Sequence, residues 1–333
     1  MLKEKILEEV EKLSQAGKYD KAIKELQKLV EADKADIRLK LKMGDLYVRK
    51  KEIPKAIQSY QEVADYYIGE KFYLKAIAVY KTLLKISPGS LPANEKLGDL
   101  YREVGMINEA VHQYYIVAGS YDSVGKIKES VEIRKKILET DPSNTTSRIR
   151  LAELMQAGGE MEKSLAEYEQ AARLLRERKE QEGLIEVYEK ILYFKPENTA
   201  LLIELCRIYF GKRDFKKALA RIDAAPAASK EERGVVELWC EALLEDRQID
   251  KARRKFQELY RKQLEAKDAD GSARVYSRIL QEFGDDQDYL NELAEIQKTV
   301  GTTHQEVKAK FREDYEKTQQ VSLEDLKNFL KKK

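Results

Sequence analysis

The side chains best suited to chemistry are few, and their spacing does not assemble them. Cys206 and Cys240 are the only two cysteines, and His112 and His304 the only two histidines. Paired thiols could form a disulfide or share a metal, and a thiol beside an imidazole could serve as a nucleophile. Neither arrangement is spelled here, because no cysteine or carboxylate stands at ligand spacing from a histidine and two lone cysteines define no zinc site. Gly158 and Gly159 precede Lys163 and Ser164, but not at the spacing of a phosphate-binding loop, which also needs a strand before it. The carboxylates suit pairing with Lys and Arg on helix surfaces rather than an isolated acid-base dyad. The sequence therefore leads us to expect no enzyme, no metal and no cofactor.

The elements that would position these residues explain them better. Cys206 and Cys240 stand at i and i+34, in a slot that Gly44, Gly98 and Ala152 fill elsewhere. A small side chain is needed where two helices approach closely, so both thiols read as packing residues. Trp239 falls in the slot of Leu97, Leu151 and Leu205 and reads as core. Pro88, Pro142 and Pro196 recur at an interval of 54, each closing a near-copy of one phrase. A shorter beat lies inside: Ala22, Ala56, Ala110, Ser164, Ala218 and Ala252 run at intervals of 34, 54, 54, 54 and 34. Ala76, Ser130, Leu184 and Ser272 each stand at i+20 from a member of that series. The chain is an array of helical modules, with units 3–36, 37–90, 91–144, 145–198, 199–232 and 233–286 and a partial one at 287–301.

Composition agrees. Hydrophobic residues make up 42% and charged residues 37%, with 6 prolines in 333 residues, which favours an all-α chain. A net charge of +2 gives no large sequence-independent pull toward nucleic acid or anionic membranes. The first residues alternate Lys and Glu where a signal peptide is apolar, and no stretch approaches the roughly 20 apolar residues of a membrane span. The expected setting is cytoplasmic.

The 34-residue spacing, with Leu97-Gly98, Tyr101, Gly105, Ala110 and Tyr114, resembles the tetratricopeptide repeat. Residues 199–232 place Leu205-Cys206, Tyr209, Ala218 and Ile222 in the same slots, and 233–266 place Trp239-Cys240, Leu243, Ala252 and Phe256 there. The likeness runs over residues 3 to 301 and implies a right-handed superhelix, a solenoid that binds proteins. The longer units depart from the family by the difference between intervals of 54 and 34, enough for a third helix. An odd helix count would swap inner and outer faces from one unit to the next.

In the family the first helix of each pair lines a groove. Carried over slot by slot, this marks Arg38, Leu41, Asp45 and Val48, then Glu95, Asp99 and Arg102, then Ile149, Glu153 and Gln156, then Ile203, Arg207 and Phe210. Members that hold the carboxylate terminus of heat-shock chaperones place Lys and Asn where this chain has Leu41, Glu95 and Ile149, and Asp45, Asp99 and Glu153. Acidic residues there repel a carboxylate, so that clamp is not expected. Tyr115, Tyr193 and Phe210 are large rings in slots that other units fill with polar residues, which makes them candidate contacts beside the rival reading of local packing. The expectation is an adaptor for a partner peptide or protein surface, without a small-molecule substrate. A helical-repeat nucleic-acid binder is the alternative, and self-association by end-to-end stacking stays open. Residues 302–333 are expected to form C-terminal capping helices, with Ser322 as an N-cap and Leu323, Leu326, Phe329 and Leu330 as an apolar stripe.

Overall fold

The computed structural model describes residues 2–33 and 35–300. The expected capping helices at 302–333, and His304, lie outside them. The described residues form 18 helices and no strand, in two compact units that divide between Lys179 and Glu180.

The first unit holds α1 (Leu2–Gln15), α2 (Tyr19–Ala32), α3 (Ile37–Arg49), α4 (Ile53–Gly69), α5 (Tyr73–Ile86), α6 (Leu91–Glu103), α7 (Ile107–Ser123), α8 (Ile127–Thr140), α9 (Thr145–Ala157) and α10 (Met161–Arg178). The second holds α11 (Gln181–Phe194), α12 (Thr199–Gly211), α13 (Phe215–Asp223), the single turn α14 (Ala227–Lys230), α15 (Arg233–Glu245), α16 (Ile249–Glu265), α17 (Ala269–Phe283) and α18 (Gln287–Val300). Most of these helices have 13 to 18 residues, short enough to be marginal in isolation, so each is held by the neighbours that cover its apolar stripe. Short connections make successive helices antiparallel.

Two devices in the sequence set the helix ends. After Pro142 and Pro196 the chain turns and soon starts the next helix, where Asn144 Oδ1 accepts from Ser147 N (3.0 Å) and Asn198 Oδ1 from Leu201 N (3.1 Å). The second device is a left-handed residue after the helix. Gly17, Lys51, Lys71, Gly105, Gly125, Gly159, Lys179, Arg213, Arg247 and Lys267 all have positive φ, and they follow one another at intervals of 34 or 20. Glycine takes this conformation without steric cost, whereas an L side chain loses about 1–2 kcal/mol. A cation there faces the negative end of the helix dipole, which offsets part of that cost. Replacing the exposed Lys51 (φ 63°) by Gly should therefore raise the first unit's stability by about 0.5–1 kcal/mol, read as a higher thermal midpoint. An unchanged or lower midpoint would show that the dipole contact outweighs the backbone strain.

The core repeats with the same beat. Tyr60 and Tyr114, which share a slot, are buried and donate their hydroxyls to Asp45 (2.6 Å) and Asp99 (2.7 Å). Burial, then these carboxylate bonds, push both phenols far above the ordinary tyrosine range. The small-residue slot lies beneath the rings: a Cβ on Gly44 or Gly98 would come within 2.8 Å of Tyr60 or Tyr114. Ala152, Cys206 and Cys240, in the same slot, are completely buried.

Both cysteines are free, and burial raises their thiols, Cys206 to about 12. Thiolate, not thiol, is the reactive form, so neither should react with a disulfide reagent at neutral pH until the chain unfolds. Rapid labelling of native protein would contradict the packing role. Trp239 is half-buried rather than sealed in the core, because a cation and not an apolar side chain covers one part of it: Lys255 Nζ stands 4.2 Å from the ring centre.

Polar contacts join alternate helices of the first unit. Arg49 of α3 donates to Ser14 Oγ of α1 at 2.8 Å, Lys136 of α8 pairs with Glu95 of α6 at 2.7 Å, and Arg150 of α9 reaches Asp122 of α7 at 3.3 Å. The first helices of two consecutive 54-residue intervals, α6 and α9, thus lie in different layers, one with α8 and the other with α7. Three helices per interval cause that swap.

Candidate protein-binding surfaces

A cleft of about 750 Å³ opens between α1 and α3, lined by Lys3, Glu4 and Leu7 from α1 and by Asp36 with Arg38, Leu39, Leu41, Lys42 and Asp45 from α3 and its cap. Three of the expected groove residues, Arg38, Leu41 and Asp45, meet here. Asp36 Oδ1 caps α3 by accepting from Arg38 N (3.0 Å), while its other oxygen takes Lys3 Nζ at 2.8 Å. The Lys3 contact foremost, against a smaller effect of burial, holds the Asp36 carboxyl below its ordinary range. Asp45 is occupied by the Tyr60 hydroxyl, and the Arg38 side chain is 86% exposed. An outward guanidinium above the half-buried Leu41 offers a charged contact beside an apolar one. Lys3 and Leu7 were not marked in the sequence, since a groove wall on the preceding helix carries no motif of its own.

The α6 positions are differently placed. Glu95 and Asp99 both hold Lys136 Nζ, at 2.7 and 3.2 Å, and Arg102 pairs with Glu139 of α8 at 3.4 Å. Burial disfavours the Lys136 cation, but the two carboxylates outweigh it and raise the group overall. These three expected contacts are therefore engaged by the neighbouring helix, and the layer swap separates them from Ile149 and Glu153 on α9. Ile149 is half-buried, and Glu153 pairs with Arg150 at 2.8 Å.

The out-of-pattern aromatics divide. Tyr115 is half-buried and donates to Asn144 Oδ1 at 2.6 Å, the atom that caps α9, so its size and hydroxyl have a structural use. In the second unit, Phe210 packs edge-on against Phe215 with ring centres 5.2 Å apart, while Arg207 is exposed. Tyr193 is 74% exposed, with Phe194 edge-on at 5.7 Å. That unit has its own cleft of about 340 Å³ between α15 and α17, where Arg233, Arg274 and Arg278 stand with Glu237 and Glu241 over Phe256, Leu259 and Val275.

Among the described residues no three His, Cys, Asp or Glu side chains are grouped to hold a metal, and no helix is long and apolar enough to cross a membrane. His112 is exposed on α7.

No curated protein matches the sequence. Among solved structures, MamA from Desulfovibrio magneticus RS-1 is 14% identical with a TM-score of 0.21, over 52% of this chain and 95% of that one. The P58(IPK) TPR domain is 14% identical with a TM-score of 0.21, over 96% and 98% of the two chains. A chain in the structure of Naa15/Naa10 bound to HypK-THB is 17% identical with a TM-score of 0.26, over 89% of this chain and 39% of that one. Likeness at this level fixes neither geometry nor function. The sequence match is more direct: residues 7–70 match the tetratricopeptide repeat family. The small-residue slot beneath a buried ring and the left-handed turn both occur inside that match, at Gly44 and Lys51, and recur beyond it at Gly98 and Gly105. Over residues 7–70 the chain carries the tetratricopeptide repeat.

Proposed function

We propose that this chain is a non-enzymatic scaffold or adaptor that binds a partner peptide or protein surface in the α1–α3 cleft. The observation that carries the reading is the convergence of Arg38, Leu41 and Asp45 on one open cleft with an apolar floor. Acid and base alternate along its walls, which suits a partner of mixed charge and sets specificity by complementarity. Asp36 and Asp45 oppose a phosphate backbone, which disfavours the nucleic-acid alternative. Free buried thiols accord with a cytoplasmic setting. On this reading residues 1–301 act as one repeat array, with the segment after it as the cap.

The test is affinity capture from native lysate by the full chain and by the Arg38→Glu/Leu41→Ala variant, matched for helicity and melting. Loss of a reproducible set of proteins from the variant's capture is the expected result. An identical set would remove the cleft from the reading, and salt-sensitive binding of an oligonucleotide by both chains would favour the alternative.

A further inference from the structure

Helix α5 stands apart from the rest of the chain in charge. Its sequence, YLKAIAVYKTLLKI, contains no Asp or Glu, and every other described helix of eight residues or more carries at least one. Lys71, just before the helix, and Lys75, Lys81 and Lys85 within it are all exposed, and none makes an ion pair among the described residues. Lys75 lies over Phe72 (4.6 Å) and Tyr67 (5.5 Å), and Lys81 over Tyr101 (5.7 Å).

The buried residues of α5, Ala76, Ile77, Val79, Tyr80 and Leu83, define its inner side. At about 100° per residue, the opposite side carries Leu74, Ala78 and Lys85 along the middle, with Lys75 on one flank and Lys81 on the other. Leu74 is 69% exposed, and Phe72, the residue just before the helix, is 48% exposed. An exposed leucine set among unpaired cations disfavours solubility but matches a partner of opposite charge.

We infer that this face of α5 is a second docking surface, and that its occupant is an acidic amphipathic segment of another protein, with apolar side chains to cover Leu74 and Phe72 and carboxylates on both flanks. The lysines are spread over about 20 Å along the helix axis, a length suited to a partner of some four turns. One large aliphatic side chain on the exposed side of α5 itself is too little to insert that helix in a bilayer, which favours a protein over a lipid surface. None of these residues lines the α1–α3 cleft, so the two surfaces can fail independently.

The test uses the full chain and a labelled synthetic peptide, a four-turn amphipathic helix with a leucine stripe flanked by glutamates, followed by fluorescence anisotropy. Binding should weaken about tenfold for Lys75→Gln/Lys81→Gln/Lys85→Gln, and also for Leu74→Ala, while Arg38→Glu/Leu41→Ala binds as wild type. These are exposed positions, and melting curves would verify that both α5 variants stay folded. Raised salt should weaken the interaction, and the glutamine version of the peptide should bind poorly. Equal affinity for the glutamate and glutamine peptides, or for wild type and the triple variant, would overturn the proposal. So would preferential binding of phosphatidylserine vesicles or of an oligonucleotide through the same lysines.

Discussion

Asp122→Ala should lower the stability of the first unit by about 3–5 kcal/mol, the cost of stranding a buried charge, measured by denaturant unfolding. Asp122 on α7 accepts from Ser130 Oγ at 2.6 Å and Arg134 Nη2 at 2.8 Å, both on α8, and from Arg150 Nε on α9 at 3.3 Å. The Arg134 side chain is only 7% exposed, so removal of its carboxylate leaves a guanidinium in the packed interior without a counter-charge. An exposed pair would matter far less, typically under about 1 kcal/mol. Asp122→Asn, which keeps an acceptor but loses the charge, should fall between wild type and Ala. A loss below about 1 kcal/mol for Asp122→Ala would mean that water reaches Arg134 and that the three helices are joined by apolar packing alone.

The same group gives the pH dependence its sign. Burial pushes the Asp122 carboxyl upward, but the Ser130 hydroxyl and the two guanidinium groups together pull harder, so its folded value lies below the ordinary one. A depressed carboxylate contributes stability that is complete above its unfolded value of about 3.9 and is lost as pH falls through the lower folded value. The gap between wild type and Asp122→Asn should therefore be constant near neutrality and shrink only in acid, below about pH 4. A gap that changes between pH 6 and 8 would point to a different titrating group.

Gly98→Ala is expected to cost about 1–3 kcal/mol, although alanine is the better helix former by about 1 kcal/mol. The added Cβ would lie 2.8 Å from Tyr114 Cε1 and 3.0 Å from Cδ1. The ring has no room to withdraw, because Tyr114 is completely buried and its hydroxyl is fixed to Asp99, with Lys136 Nζ 5.8 Å from the ring centre. Gly119, within α7, has nothing within 4 Å of the position a methyl group would take, so Gly119→Ala should stabilise by about 0.5–1 kcal/mol through helix propensity. Opposite signs for these two substitutions, read by urea unfolding, would establish the close approach. The same sign for both would reduce the slot to a propensity effect.

The Gly98 slot was legible in the sequence because its requirement is local in each module and repeats: glycine, glycine, alanine, cysteine and cysteine hold it from α3 to α15, a run of small residues after Val10 in α1. The left-handed turn was half legible. Gly17, Gly105, Gly125 and Gly159 announce it, but Lys51, Lys71, Lys179, Arg213, Arg247 and Lys267 take the same conformation with residues that disguise it. The acid-free α5 was written in the sequence as well, yet four lysines become a candidate surface only once their lack of ion-pair partners is seen.

The sequence by itself determined the period, the helices and their apolar sides, because helical amphipathicity and turn chemistry are short-range and each module restates them. It also determined that no catalytic constellation is spelled by its two cysteines and two histidines. Which charged faces stay open was decided only by the tertiary structure. Arg38 and Asp99 occupy helices of the same type, in consecutive long units of the array, yet Arg38 projects into a cleft, paired with Asp36 at the start of its own helix, while Asp99 is bound by Lys136, from the second helix after its own. That difference depends on which helix stacks two places away, and three helices per interval alternate the layer that a given slot faces. Spacing along one helix carries no information about that neighbour.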